Sequence, residues 1–84
     1  MSKLYVFYDR VSGIYSNPII MPESKPVVVR AIRTGLQQGG ALPWQQYPAD
    51  HQLYSSGEYD ENTGLIVAYD KPEFILNLTD LLEV

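Results

Sequence analysis

Residues 57–67 read Gly57-Glu58-Tyr59-Asp60-Glu61-Asn62-Thr63-Gly64-Leu65-Ile66-Val67, or GEYDENTGLIV. Strand-forming residues flank a polar cluster that ends in glycine. This is the pattern of two strands joined by a short hairpin loop, with Gly64 where the backbone needs a positive φ. Asp60-x-Asn62-x-Gly64 also shares letters with a calcium loop. An EF-hand loop needs a further ligand position before its glycine, a Glu at its twelfth position and a helix on each side. Here Gly64 comes one residue early and the flanks are strand-like, so the cluster reads as a turn and not as a metal site.

Outward from this hairpin, residues 52–59 and 65–69 form a third and a fourth strand. Leu4-Tyr5-Val6-Phe7-Tyr8 is a first strand, dense in aromatic and β-branched residues. Alternation puts Leu4, Val6 and Tyr8 on one face and Tyr5 and Phe7 on the other, so both faces are apolar. Residues 10–17 carry turn chemistry at Ser-Gly and Ser-Asn. Residues 18–21 make a short second strand, placed at an edge because Pro18 and Pro22 cannot donate to a ladder.

Ser24-Lys25-Pro26 has the composition of a helix N-terminus, with a capping serine and an early proline. Val28, Val29, Ile32 and Leu36 then make one apolar stripe, and Gly39-Gly40 end the helix. Residues 41–50, ALPWQQYPAD, hold two prolines and two large aromatics, and read as a packed lid or an exposed contact surface. Asp70-Lys71-Pro72-Glu73 is again a helix-start signature, and Phe74, Ile75, Leu78, Leu81 and Leu82 share one helical face. A strand through residues 74–78 is the competing reading. The expected fold is α+β: an antiparallel sheet of about four strands, one central helix (about 25–38) and a short C-terminal helix (about 71–82). Residues 1–84 make a single domain.

Composition narrows the function. With 84 residues and no cysteine, neither disulfides nor cysteine-bound zinc can support the fold. That leaves one good core or self-association. A 45% hydrophobic content is too high for a disordered chain, and no apolar run nears the roughly 18 residues of a membrane span. The N-terminus lacks the features of a signal peptide, so a soluble intracellular protein is expected. The net charge of −4 divides unevenly: residues 1–57 are basic in balance and residues 58–84 strongly acidic. A protein that neutralises many phosphates needs surplus Lys and Arg, so non-specific duplex binding is disfavoured.

Candidate catalytic groups are sparse. His51 is the sole histidine. A dyad would need it beside Ser55 or Ser56 with a third group orienting it, and the spacing gives no such arrangement. A surface histidine at a strand start is the expected reading. No phosphate-binding glycine motif is present, and no cofactor, metal site or enzymatic activity is expected. Two roles remain open for the aromatics. Trp44 and Tyr47, with Lys25, Arg30 and Arg33, are candidate contacts for single-stranded nucleic acid through stacking and charge. Alternatively, the aromatics fill the core or an oligomer interface, for which Tyr5, Phe7, Tyr54, Phe74 and Leu78 are the candidates. One helix on one face leaves the other face uncovered, so a homodimer or higher homo-oligomer is expected.

The motif order also carries a resemblance. LYVFYD, a central helix containing Ala31-Ile32-Arg33, then LYSSGEYDENTGLI and DKPEFILNLTDLL together resemble the small nonstructural protein of gokushoviruses, tailless microviruses with circular single-stranded DNA genomes that infect bacteria. The matching positions are Tyr8-Asp9, Ala31-Ile32-Arg33, Leu53-Tyr54, Gly57-Glu58-Tyr59-Asp60 and Thr63-Gly64. The chain departs at Gly35, where members often carry an aromatic, and at Ser56, where they carry an apolar residue. The resemblance implies a nonstructural protein of the bacterial host cytoplasm. It further implies support for the switch to single-stranded DNA synthesis or its coupling to packaging, with viral replication proteins or single-stranded DNA as partners. It implies no catalytic residues. The alternative is an oligomeric module that acts on a host factor without touching DNA.

Overall fold

Five strands and one long helix make up the chain, in a computed structural model that describes residues 1–22 and 24–82. In order they are β1 (Ser2–Asp9), β2 (Ile14–Tyr15), β3 (Ile19–Pro22), α1 (Lys25–Gln38), a short helix α2 (Pro43–Gln46), β4 (His51–Asp60) and β5 (Leu65–Asn77), with 3-10 turns at Pro48–Asp50 and Leu78–Leu81. All pairings are antiparallel, in the order β2-β1-β4-β5, and β3 lies beside β1 along the edge that β2 also uses. The architecture is the expected α+β, and α1 occupies the range the apolar stripe predicts. Ser24 stands at its N-cap, but its side chain makes no capping hydrogen bond.

The C-terminal segment corrects one boundary. Residues 71–77 belong to β5, and only Leu78–Leu81 turn, as 3-10 helix. The strand reading wins here because Glu73, Phe74, Leu76 and Asn77 find partners on β4. Pro72 lacks a donor, but it sits on an edge strand in a stretch that no β4 residue opposes. A second strand also lies inside the first connection: β2 pairs Ile14 with Asp9 and Tyr15 with Tyr8.

Two hairpin loops use one device. Gly13 N–H donates to the Asp9 carbonyl (2.8 Å) and Gly64 N–H to the Asp60 carbonyl (2.8 Å). In each loop the aspartate Oδ1 also accepts an amide two residues on, from Val11 (2.9 Å) or Asn62 (2.9 Å). Both closing glycines take positive φ, 73° and 74°. The stretch Asp60-Glu61-Asn62-Thr63-Gly64 is thus an Asx-braced turn. Glu61 ties this turn back to the first strand, accepting from Ser2 Oγ (2.8 Å) and Ser2 N (3.2 Å).

The core lies between α1 and one face of the sheet. Tyr5, Phe7, Val28, Ile32, Leu53, Leu76, Leu78 and Leu81 form one buried cluster, with Leu53 and Leu78 fully shielded. Each such side chain contributes about 1.5–3 kcal/mol on burial. The sheet bends where β4 carries an extra residue. Tyr5 pairs with Ser55 and Leu4 with Gly57, which leaves Ser56 as a bulge. On the other side Ser55 pairs with Glu73 and Gly57 with Ala68, so residues 69–72 have no partner on β4. Ser55 is buried at the bend and its hydroxyl donates to the Leu4 carbonyl (3.1 Å). Gly57 permits the close strand crossing: a Cβ there would collide with the Val67 carbonyl oxygen and lie 3.2 Å from the Ala68 Cα.

Candidate functional site

Three regions hold the residues to which a function can attach. The first is the sheet face opposite α1. Register places Tyr8 across from Tyr15 on β2, and Tyr54 across from Val6 and Phe74. The rings touch in sequence: Tyr8–Tyr15 (4.7 Å), Tyr15–Tyr54 (5.7 Å), Tyr8–Tyr54 (5.9 Å) and Tyr54–Phe74 (5.6 Å, edge to face). Each such pair adds about 0.5–1.5 kcal/mol beyond burial. Among the described residues no helix lies over this face; α1 packs on the other one. Phe74 keeps 48% of its surface exposed, Tyr15 42% and Ile20 51%. Burial against Tyr54 and Tyr8 raises the Tyr15 phenol above its ordinary pKa.

Of the five residues expected at an oligomer interface, Tyr54 and Phe74 are on this outer face. Tyr5, Phe7 and Leu78 are not: all three are buried in the protomer's own core. Alternation alone separates Tyr5 and Phe7 from the face of Leu4, Val6 and Tyr8, and Tyr8 lies on the outer face. Tyr15 carried no such signal, because its two-residue strand hides within a turn sequence.

The second region is α1 with the segment after it. Lys25 and Arg30 are exposed. Arg33 is half-buried, and its Nε is shielded from solvent without a hydrogen-bond partner. Trp44 does not join them as a stacking platform. Its ring lies flat on Phe7, with centroids 4.6 Å apart and planes 2° from parallel. Gly35 makes room for it, since a Cβ at that position would sit 2.6 Å from the indole Cη2. The Gln45 side-chain amide then donates to the carbonyls of Gly35 (3.1 Å) and Gly39 (3.3 Å), locking α2 onto the end of α1. Residues 41–50 are thus a lid over the core at Trp44, while Tyr47 stands 60% exposed.

The third region is the groove where α2 crosses the end of the sheet. His51 begins β4, yet it is buried, with 5% of its surface exposed, and not a surface histidine. The lid covers it: its Nδ1 lies 2.7 Å from the Tyr47 carbonyl oxygen. Asp9 is its cross-strand neighbour. The Val11 amide hydrogen bond holds the Asp9 carboxylate below its ordinary pKa, with help from Ser12 and the nearby His51 and against some desolvation. Among the described residues no hydrogen bond joins His51 to a serine, and no group of three or more His, Asp or Glu is placed to hold a metal ion. No described helix is long and apolar enough to cross a membrane.

Comparison with known proteins adds the family. The family described as "Phage ORF5 protein" matches residues 2–81, nearly the whole chain. No match was found among curated proteins or among solved structures. The chain belongs to the Phage ORF5 protein family and is a phage protein.

Proposed function

We propose that this Phage ORF5 family member is a non-enzymatic accessory protein of a gokushovirus, one of the Microviridae. In this reading it works in the cytoplasm of the bacterial host, as a homodimer. It supports replication of the viral single-stranded DNA, or the coupling of that replication to packaging, through protein contacts. The observation that carries the reading is the outer face of the sheet, where Tyr8, Tyr15, Tyr54 and Phe74 form a continuous ring cluster left partly open to solvent. A small domain gains from covering such a face with an identical one, which doubles the buried apolar area around a twofold axis. A non-catalytic role is favoured because the His51 ring is anchored to a backbone carbonyl and the buried Ser55 hydroxyl is directed at the Leu4 carbonyl.

A second reading adds direct contact with single-stranded DNA through Lys25, Arg30 and Arg33. Exposure of Lys25 and Arg30 on α1 favours it; the net charge of −4 opposes it. A third has the same dimer acting on a host factor with no DNA contact. Complementation of a phage lacking the gene separates them. Tyr54→Lys, checked for folding by circular dichroism, lowers the yield of viral single-stranded DNA if the outer face is the working surface. An undiminished yield refutes the contact reading. Salt-sensitive binding of labelled single-stranded DNA that weakens in Arg30→Ala and Arg33→Ala supports the second reading, and no binding at low salt favours the third.

A further inference from the structure

A groove opens at His51 where Phe7 and Trp44 of the core approach Tyr15 of the outer face, and we propose that it is a docking site for a cationic side chain, an arginine, presented by a partner protein. Hydrogen-bond polarity is the first argument. The Tyr47 carbonyl can only accept, so His51 Nδ1 carries the proton that bridges their 2.7 Å separation. In the neutral ring Nε2 is then an acceptor, and no protein donor meets it among the described residues. His51 is 95% removed from solvent and lines the groove, and its second nitrogen is available to a donor from outside the protein.

Charge is the second argument. The groove has two lobes, about 200 and 340 Å³, which meet at Asp9, Pro43 and His51. Asp9 faces both lobes and Asp50 lines the larger one. Among the described residues neither carboxylate has a salt-bridge partner. Arg10, the nearest cation in sequence, donates its guanidinium to the Ala49 carbonyl instead. Asp9 Oδ1 accepts from the Val11 and Ser12 amides, and these bonds keep the carboxylate charged at the groove. A phosphate would be repelled by the Asp9 and Asp50 carboxylates, whereas a guanidinium, with five donors and a delocalised charge, is attracted by them and can donate to His51 Nε2.

The walls are the third argument. Phe7, Ile14, Tyr15, Pro43 and Trp44 make the smaller lobe apolar and aromatic. Such walls suit the methylene stem and the flat cation of arginine. The smaller lobe, about 200 Å³, has room for a single side chain. The site shares Tyr15 with the outer face, and its test reads a signal other than the mass of the assembly.

Trp44 is the sole tryptophan and lines the smaller lobe, so its emission reports occupancy. The full chain is titrated with acetyl-Gly-Arg-Gly-amide, with the neutral citrulline counterpart and with adenosine monophosphate. The arginine peptide is expected to shift Trp44 emission saturably and to weaken as salt is raised. The citrulline peptide should bind roughly tenfold more weakly, equivalent to about 1.4 kcal/mol. Asp9→Asn, which keeps Oδ1 for the loop amides, abolishes the difference between the two peptides. Ile14→Lys, at a position 66% exposed and therefore tolerant, fills the lobe with its own ammonium and abolishes binding. Equal affinity for citrulline overturns the proposal, as does tighter binding of the nucleotide. So does the absence of any Trp44 response together with an unmoved His51 imidazole resonance.

Discussion

Gly57→Ala tests the sheet's bend. A Cβ at this position meets the Val67 carbonyl oxygen inside contact distance, the Ala68 Cα at 3.2 Å and the Val67 carbonyl carbon at 3.3 Å. All three atoms are β5 backbone, so no rotamer change can relieve the collision. Overpacking of this kind costs about 1–3 kcal/mol. Alanine also narrows the unfolded ensemble, which offsets about 0.4–1 kcal/mol. The net expectation is a loss of about 1–2 kcal/mol, or a fall in Tm of roughly 4–16 °C for a domain of this size. Gln37→Ala is the control. Gln37 is exposed on α1, so its change stays within about 0.5 kcal/mol. Urea unfolding followed by Trp44 emission, at one fixed protomer concentration, gives both values, with the slope m unchanged. A Gly57→Ala midpoint equal to wild type, or an equal loss in Gln37→Ala, would refute the account of the strand crossing.

Other consequences follow from single contacts. Gly35→Ala pushes Trp44 off Phe7, shifts its emission and costs about 1–3 kcal/mol; in a double-mutant cycle with Trp44→Leu the two losses are not additive, and additivity contradicts the contact. The Asp9 carboxylate sits below its ordinary pKa of 3.8 in the folded chain, so its contribution is present above that pH and is lost as pH falls through the folded value. Asp9→Asn, which preserves an acceptor for the loop amides, should make acid unfolding shallower, and parallel curves argue against this. Tyr15 sits above its ordinary 10.0, so its contribution is present below that pH and disappears as pH rises through the folded value. Tyr15→Phe should remove part of the late-ionising amplitude in an ultraviolet titration and leave Tyr69, raised chiefly by burial and by its bond to Glu58, as the remainder.

Local chemistry was legible wherever it also decided the outcome. The aromatic run 4–8, the apolar stripe of α1 and the Asp60–Gly64 loop each specify their own element, and the fold contains all three. Reading failed where pairing overrode local preference. Asp-Lys-Pro-Glu is a sound helix start, but β4 offers residues 73–77 a ladder, and the irregularity opposite Ser56 absorbs the proline. Ile14-Tyr15 looked like turn because β2 is only two residues long. The groove was hidden for a different reason. Its parts come from β1, the first turn, α2 and β4, and only the lid's position buries His51. No spacing in the sequence encodes that juxtaposition. Gly35, a departure from the resembled family, makes sense only in three dimensions, where Trp44 fills the space beside it.

The most direct test of the contact reading is the mass of the protein in solution, by light scattering coupled to size exclusion over a wide concentration range. The wild type is expected at twice the 9.5 kDa chain mass, and a folded Tyr54→Lys variant at the single-chain mass. A stable wild-type species of one chain mass at every concentration would contradict it.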